Sequence, residues 1–183
     1  MEISQEDWYN MCKNQRRTTN SRMWKEFCWK NLVRFYITPK LKRRLSPVPQ
    51  PCWRLCGEYD VDHVHVFWKC GKMTGFWNDV WEGIKSILQY DLPKTFEVLY
   101  LGNFTPKNIH SRDRYLTGIL LAASKKAITR KWLKEDPPTQ RNWLDIVDEI
   151  HDMEKFTYSL RLQQLSCFEK WEKWTDFKTH HKI

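Results

Sequence analysis

The stretch from Pro51 to Cys70, PCWRLCGEYDVDHVHVFWKC, constrains this chain more than any other. It holds three of the six cysteines and two of the six histidines in a chain of 183 residues. The order is Cys52-x3-Cys56-x8-His65-x4-Cys70. Three thiols and one imidazole form a tetrahedral ligand set, and thiolate donors favour zinc over magnesium or calcium. Gly57, directly after Cys56, permits the tight backbone turn that a metal-bound loop requires. A loop folded around an ion is neither a regular helix nor a strand, so an irregular insert is predicted at 46–72.

The histidine assignment has two solutions. His65 gives a His-x4-Cys spacing, the spacing found in retroviral zinc knuckles. His63 gives six residues on either side. Were DHVHVFW a strand, both imidazoles would share one face; the segment reads equally as the first turn of a helix. The spacing favours His65, with His63 as the alternative ligand or a neighbour of the site. Four protein ligands leave no open coordination position, so one structural zinc per chain is expected. Cys12, Cys28 and Cys167 stand alone and are expected to pack as small hydrophobes.

Around the insert the apolar periodicity is helical. Residues 21–36 place Trp24, Phe27, Cys28, Leu32 and Phe35 on one face, with Ser21 as the cap. Residues 1–20 show no period. SPVPQP, 46–51, is a stiff extended linker. Residues 74–88 repeat Phe76/Trp77, Val80/Trp81, Ile84 and Ile87/Leu88, a clear helix. EVLYLGNF reads as a loop or short strand. A helix capped by Ser111 or Asp113 runs to about Lys134. Thr139 caps another, with Trp143, Ile146, Val147, Ile150 and Met153 inward, and a last helix covers 163–174. The fold expected is mostly α: a basic N-terminal segment with one helix (1–45), the Cys-Cys-His-Cys zinc-knuckle insert (46–72) and a C-terminal helical domain (73–183). No apolar run approaches the ~20 residues of a membrane span, and MEISQEDWYN carries no apolar signal core. An intracellular protein, in nucleus or cytoplasm, is expected, without membrane contact.

The net charge is +9, and it is concentrated. Between residues 16 and 44 lie Arg16, Arg17, Arg22, Lys25, Lys30, Arg34, Lys40, Lys42, Arg43 and Arg44 against the single acid Glu26. That segment alone carries +9, and the remainder of the chain sums to zero. A localised cationic stretch with interleaved aromatics is the footprint of a polyanion partner. Arg16, Arg17, Lys40, Lys42, Arg43 and Arg44 are the candidate phosphate contacts. Trp53 and Trp68, beside the cysteines, are the candidates for stacking on bases. Most of the 11 tryptophans are expected to anchor the core.

Catalytic signatures are missing. There is no P-loop, no G-x-G-x-x-G, no nucleophile elbow and no H-E-x-x-H. The H-x-E…P-C-x-x-C order of zinc deaminases is absent, as is an Asp-Asp pair. No enzymatic activity is expected.

Several separated segments carry a family resemblance: CWRLCGE (52–58), HVFWKC (65–70), FWNDVW (76–81), RFYITPKLK upstream, and LLAASKKAITRKW and WLDIVDEIHDMEK downstream. In this order they resemble the zinc-binding C-terminal region of LINE-type non-LTR retrotransposon reverse transcriptase polyproteins. The resemblance covers most of the chain, from about Met23 to Phe177. It implies a zinc knuckle at Cys52, Cys56, His65 and Cys70, a role in gripping element RNA or target DNA, and no catalysis, since the endonuclease and reverse transcriptase motifs are not in this chain. The alternative, from a different class, is a protein-interaction module whose Trp-rich helices dock on a reverse transcriptase core or another partner.

Overall fold

The computed structural model describes residues 3–17, 19–105 and 109–181. The fold is mostly α-helical, with an irregular cysteine-rich segment. In chain order the α-helices are α1 (Gln5–Arg16), α2 (Arg22–Leu32), α3 (Pro39–Arg43), α4 (Thr74–Leu88), α5 (Phe96–Leu99), α6 (Arg114–Arg130), α7 (Gln140–Leu160) and α8 (Gln164–His181). A π-helical turn, His65–Lys69, and a 3-10 turn, Gly71–Met73, lead into α4. Among the described residues, no helix is long and apolar enough to cross a membrane.

The centre is built from α4, α6, α7 and α8, which pack on one another. Tryptophans dominate their shared core: Trp143, Trp171 and Trp174 are among the largest fully buried side chains. Each large ring removes much apolar area from water, and a buried indole N–H needs an acceptor. Trp143 Nε1 donates to the Leu120 carbonyl of α6 at 2.9 Å. Its ring lies so close to Gly83 of α4 that a Cβ there would sit 2.4 Å from a ring carbon. Close approach of helix and ring is why glycine stands in mid-helix at 83, where it otherwise weakens a helix. Thr139 starts α7 through a capping box with Asn142. Gln89, in the left-handed region at φ 64°, ends α4.

Among the described residues of the N-terminal 45 there are three helices where the sequence pattern predicts one. Helix α1 buries only Met11 and Gln15, so it has no apolar stripe to read. It is fastened through amides instead: Asn14 Nδ2 donates to the Gly102 carbonyl and Gln15 Nε2 to the Leu101 carbonyl, at 2.9 and 3.0 Å. The fully buried Lys125 of α6 donates to Gln15 Oε1 at 3.0 Å. Helix α2 stops at Leu32, four residues short of the expected Tyr36, because Arg34 turns left-handed at φ 55° and Phe35 N–H bonds back to the Lys30 carbonyl. Thr38 caps the short α3. EVLYLGNF contains the one-turn helix α5, capped by Thr95. Helix α6 ends at Arg130, before the expected Lys134, and α8 continues beyond the expected Trp174 to His181. Cys28 and Cys167 are buried and Cys12 half-buried, without disulfides, as lone packing cysteines should be.

Candidate metal centre

Cys52, Cys56, His65 and Cys70 converge. Their ligand atoms all lie within 4.8 Å of one another, so the four residues can hold a metal ion. The Sγ atoms of Cys52 and Cys70 are 3.9 Å apart, and Cys56 Sγ is 3.4 Å from His65 Nε2. Tetrahedral coordination with metal–sulfur bonds of about 2.3 Å separates two sulfurs by about 3.8 Å and a sulfur from an imidazole nitrogen by about 3.6 Å. These two separations match that spacing, and the remaining donor pairs lie within 4.8 Å of one another.

Two short segments deliver these ligands. The first, 51–59, is a loop closed by an antiparallel bridge between Pro51 and Tyr59. Cys52 N–H donates to the Glu58 carbonyl at 2.9 Å and Leu55 N–H to the Cys52 carbonyl at 2.9 Å. Leu55 and Gly57 are left-handed, at φ 50° and 93°. Nothing stands within 4 Å of a Cβ at Gly57, so backbone conformation, not space, calls for glycine there. The second segment is helical and capped by Asp62, whose Oδ1 accepts from His65 N–H at 2.9 Å. It widens to a π turn in which Cys70 N–H bonds to the His65 carbonyl at 2.9 Å. Residues five apart diverge on an α-helix; the wider turn brings His65 and Cys70 to one side.

The same winding separates the two histidines. Residues two apart on a helix point about 200° from each other, so His63 faces away from the thiols. Its ring lies 4.5 Å from that of Phe67, with Nε2 3.5 Å from the Tyr100 hydroxyl. Burial, helped by Arg34, lowers its pKa to about 4, which leaves the ring neutral. On the ligand histidine, the second ring nitrogen faces a carboxylate: His65 Nδ1 is 3.4 Å from Glu58 Oε2. That contact favours the proton on Nδ1 and frees the Nε2 lone pair for a metal, an arrangement that orients many ligating histidines. Burial pushes the Cys52 thiol up to about 12 and the Cys70 thiol in the same direction. Both thiols are therefore neutral until a cation displaces their protons.

Part of the cationic segment is attached to this centre. Lys40 N–H donates to the Val61 carbonyl at 3.0 Å, which ties the start of α3 to the cysteine segment. Arg43 donates to the Ser46 carbonyl at 2.8 Å and pairs with Asp60 at 3.5 Å. Lys42 Nζ stands 5.7 Å from the centre of the Trp53 ring. Lys40, Lys42 and Arg44 are exposed. Beside Lys42 opens a cleft of about 460 Å³, lined by Phe35, Tyr36, Ile37, Lys42, Trp53, Trp132 and Leu133. Trp132 Nε1 donates to the Ile37 carbonyl at 3.1 Å, and its ring packs on Tyr36 and Phe67.

The other sequence candidates have different neighbours. Arg16 stands 5.8 Å from the Trp29 ring. Arg17 lines a separate cavity with Asn14, Phe104 and Arg114. Trp68 is half-buried against Trp77 and Phe96, at 4.9 and 5.8 Å, and takes no part in the cleft beside Trp53. Sequence reasoning passed over Glu58, Arg54 and Trp132. Position inside the cysteine loop was the available signal for the first two; nothing local marks Trp132, which reaches the cleft from the end of α6.

No protein-family model matches the chain.

Proposed function

We propose that this chain is a non-catalytic nucleic-acid-binding module built around one structural zinc. Three thiols and one imidazole are a zinc donor set, and four protein ligands leave no coordination position for water or substrate. Free thiols at such a site suit the reducing interior of a cell. The observation that carries the reading is the join between α3 and the cysteine loop. Exposed Lys42 lines an open aromatic cleft edged by Trp53, and Lys40 and Arg44 are exposed on the same short segment. Phosphates next to the lysines and an unstacked base against the aromatics are the two contacts a single strand offers. Together with the motifs at 52–58, 65–70 and 76–81, this supports a role like that of the zinc-binding terminal region of LINE-type reverse transcriptase polyproteins, on RNA or target DNA.

The test is fluorescence anisotropy with labelled single-stranded RNA, single-stranded DNA and duplex DNA at several salt concentrations. Binding to single strands should weaken with a log–log slope of about −0.7 per neutralised phosphate. Lys40→Glu with Lys42→Glu should flatten that slope by about two phosphates. Absent binding, or binding indifferent to salt, contradicts the reading.

A second reading has its own support. Phe156, Leu160, Leu162, Leu165 and Phe168 are all exposed around the turn between α7 and α8. Clustered exposed apolar side chains of this kind suit a protein partner, such as the reverse transcriptase core of a parent polyprotein.

A further inference from the structure

Arg54 lies between the first two cysteines and is 0% exposed. A guanidinium is charged at any physiological pH, and a buried charge is tolerated only when it is paired and hydrogen-bonded. Arg54 has one such bond: Nη1 donates to the Val66 carbonyl at 3.0 Å. Its Nε and Nη2 atoms are buried without a hydrogen-bond partner. Among the described residues, no carboxylate forms an ion pair with it. Burial pulls its pKa down, and Cys70, Cys52 and Cys56 in their charged form pull it back up.

The metal centre has the complementary imbalance. A divalent cation with three thiolates and a neutral imidazole carries one net negative charge, and it too is largely shielded from water. Glu58, beside His65, has a side chain 69% exposed, so solvent screens its charge.

We infer that Arg54 is the built-in counter-ion of the metal centre: one buried guanidinium, held inside the cysteine segment by its bond to the Val66 carbonyl, neutralises the metal–trithiolate unit. This rests on the metal reading above but goes beyond it, because it assigns a non-ligand the task of setting metal affinity. Arg54 is thus a positioning and charge-balancing residue, not a ligand. The pairing runs in both directions. The metal brings the negative charge that balances Arg54, and Arg54 makes three thiolates, two of them buried, tolerable around one dication.

The test uses the full chain with Arg54→Met, which keeps much of the volume but removes the charge, and Arg54→Lys, which keeps the charge. Zinc affinity is read by competition with a chromogenic chelator, and thermal midpoints are read with and without metal. Arg54→Met should bind zinc about 10- to 100-fold more weakly, the range for partners of ligating groups. Its metal-free form should be no less stable than the metal-free wild type, since the substitution removes an uncompensated buried charge. Arg54→Lys should recover part of the affinity. If Arg54 merely filled space, Arg54→Met would lower both midpoints equally and leave zinc affinity unchanged; that outcome overturns the inference while the metal site stands. A wild-type chain that holds no zinc overturns both.

Discussion

The α4–α6–α7–α8 bundle and the 51–70 segment sit side by side in one molecule and are held by different forces. In the bundle, buried tryptophans and aliphatic side chains fill the core; Trp143 Nε1 is satisfied by Leu120, while Trp174 Nε1 is buried without a hydrogen-bond partner. In the cysteine segment, backbone regularity gives way to a loop with left-handed residues, a single bridge and a π turn. Its interior contains four ligand side chains and a guanidinium that hydrophobic burial alone does not justify. Apolar burial stabilises whatever the solution conditions; ligand convergence stabilises only when a cation occupies the ligands. The bundle should therefore be a permanent scaffold and the cysteine segment a conditional one, with α3 and its lysines attached to the conditional part.

Four perturbations separate the two regions, from largest effect to smallest. Trp143→Ala opens a cavity in the bundle and should cost about 3–5 kcal/mol, enough to unfold much of the population on thermal or urea denaturation whether or not zinc is present. Cys56→Ser should abolish tight zinc binding but leave most far-ultraviolet helical signal intact, with the loss of protection in hydrogen exchange confined to 38–70. If Cys56→Ser unfolds the bundle as well, the division into permanent and conditional regions is wrong. Protons should mimic that substitution reversibly. Because burial raises the pKa values of Cys52 and Cys70, zinc must displace a proton from each. Affinity should fall as pH falls, by up to about a hundredfold per pH unit from these two groups, while bundle stability changes little over the same range. Glu58→Gln weakens the hold on the His65 tautomer and should lower zinc affinity by about tenfold, read by the same chelator competition, with no change in the metal-free thermal midpoint.

The contrast also explains what could be read from the sequence. Helix α4 was legible to its end residues, Thr74 and Leu88, because its apolar positions recur with a helical period and nothing else competes. The convergence of Cys52, Cys56, His65 and Cys70 was legible because thiol and imidazole side chains at short spacing have few other uses. Helix α1 was not, since its anchors are the amides of Asn14 and Gln15, which carry no hydropathy signal. The choice between His63 and His65 depended on whether residues 63–69 form a strand or a helical turn, and alternation of polar and apolar residues over so short a run does not decide that. Arg54 was the least legible: a charged residue in a short loop reads as solvated by default, and only the folded chain shows it buried and bonded to the Val66 carbonyl.

X-ray absorption spectroscopy of the zinc-loaded chain measures the central arrangement directly. The account predicts three sulfur neighbours at about 2.3 Å and one nitrogen at about 2.0 Å around each ion, with one ion per chain. A first shell dominated by oxygen, or a sulfur count that survives Cys56→Ser unchanged, would contradict it.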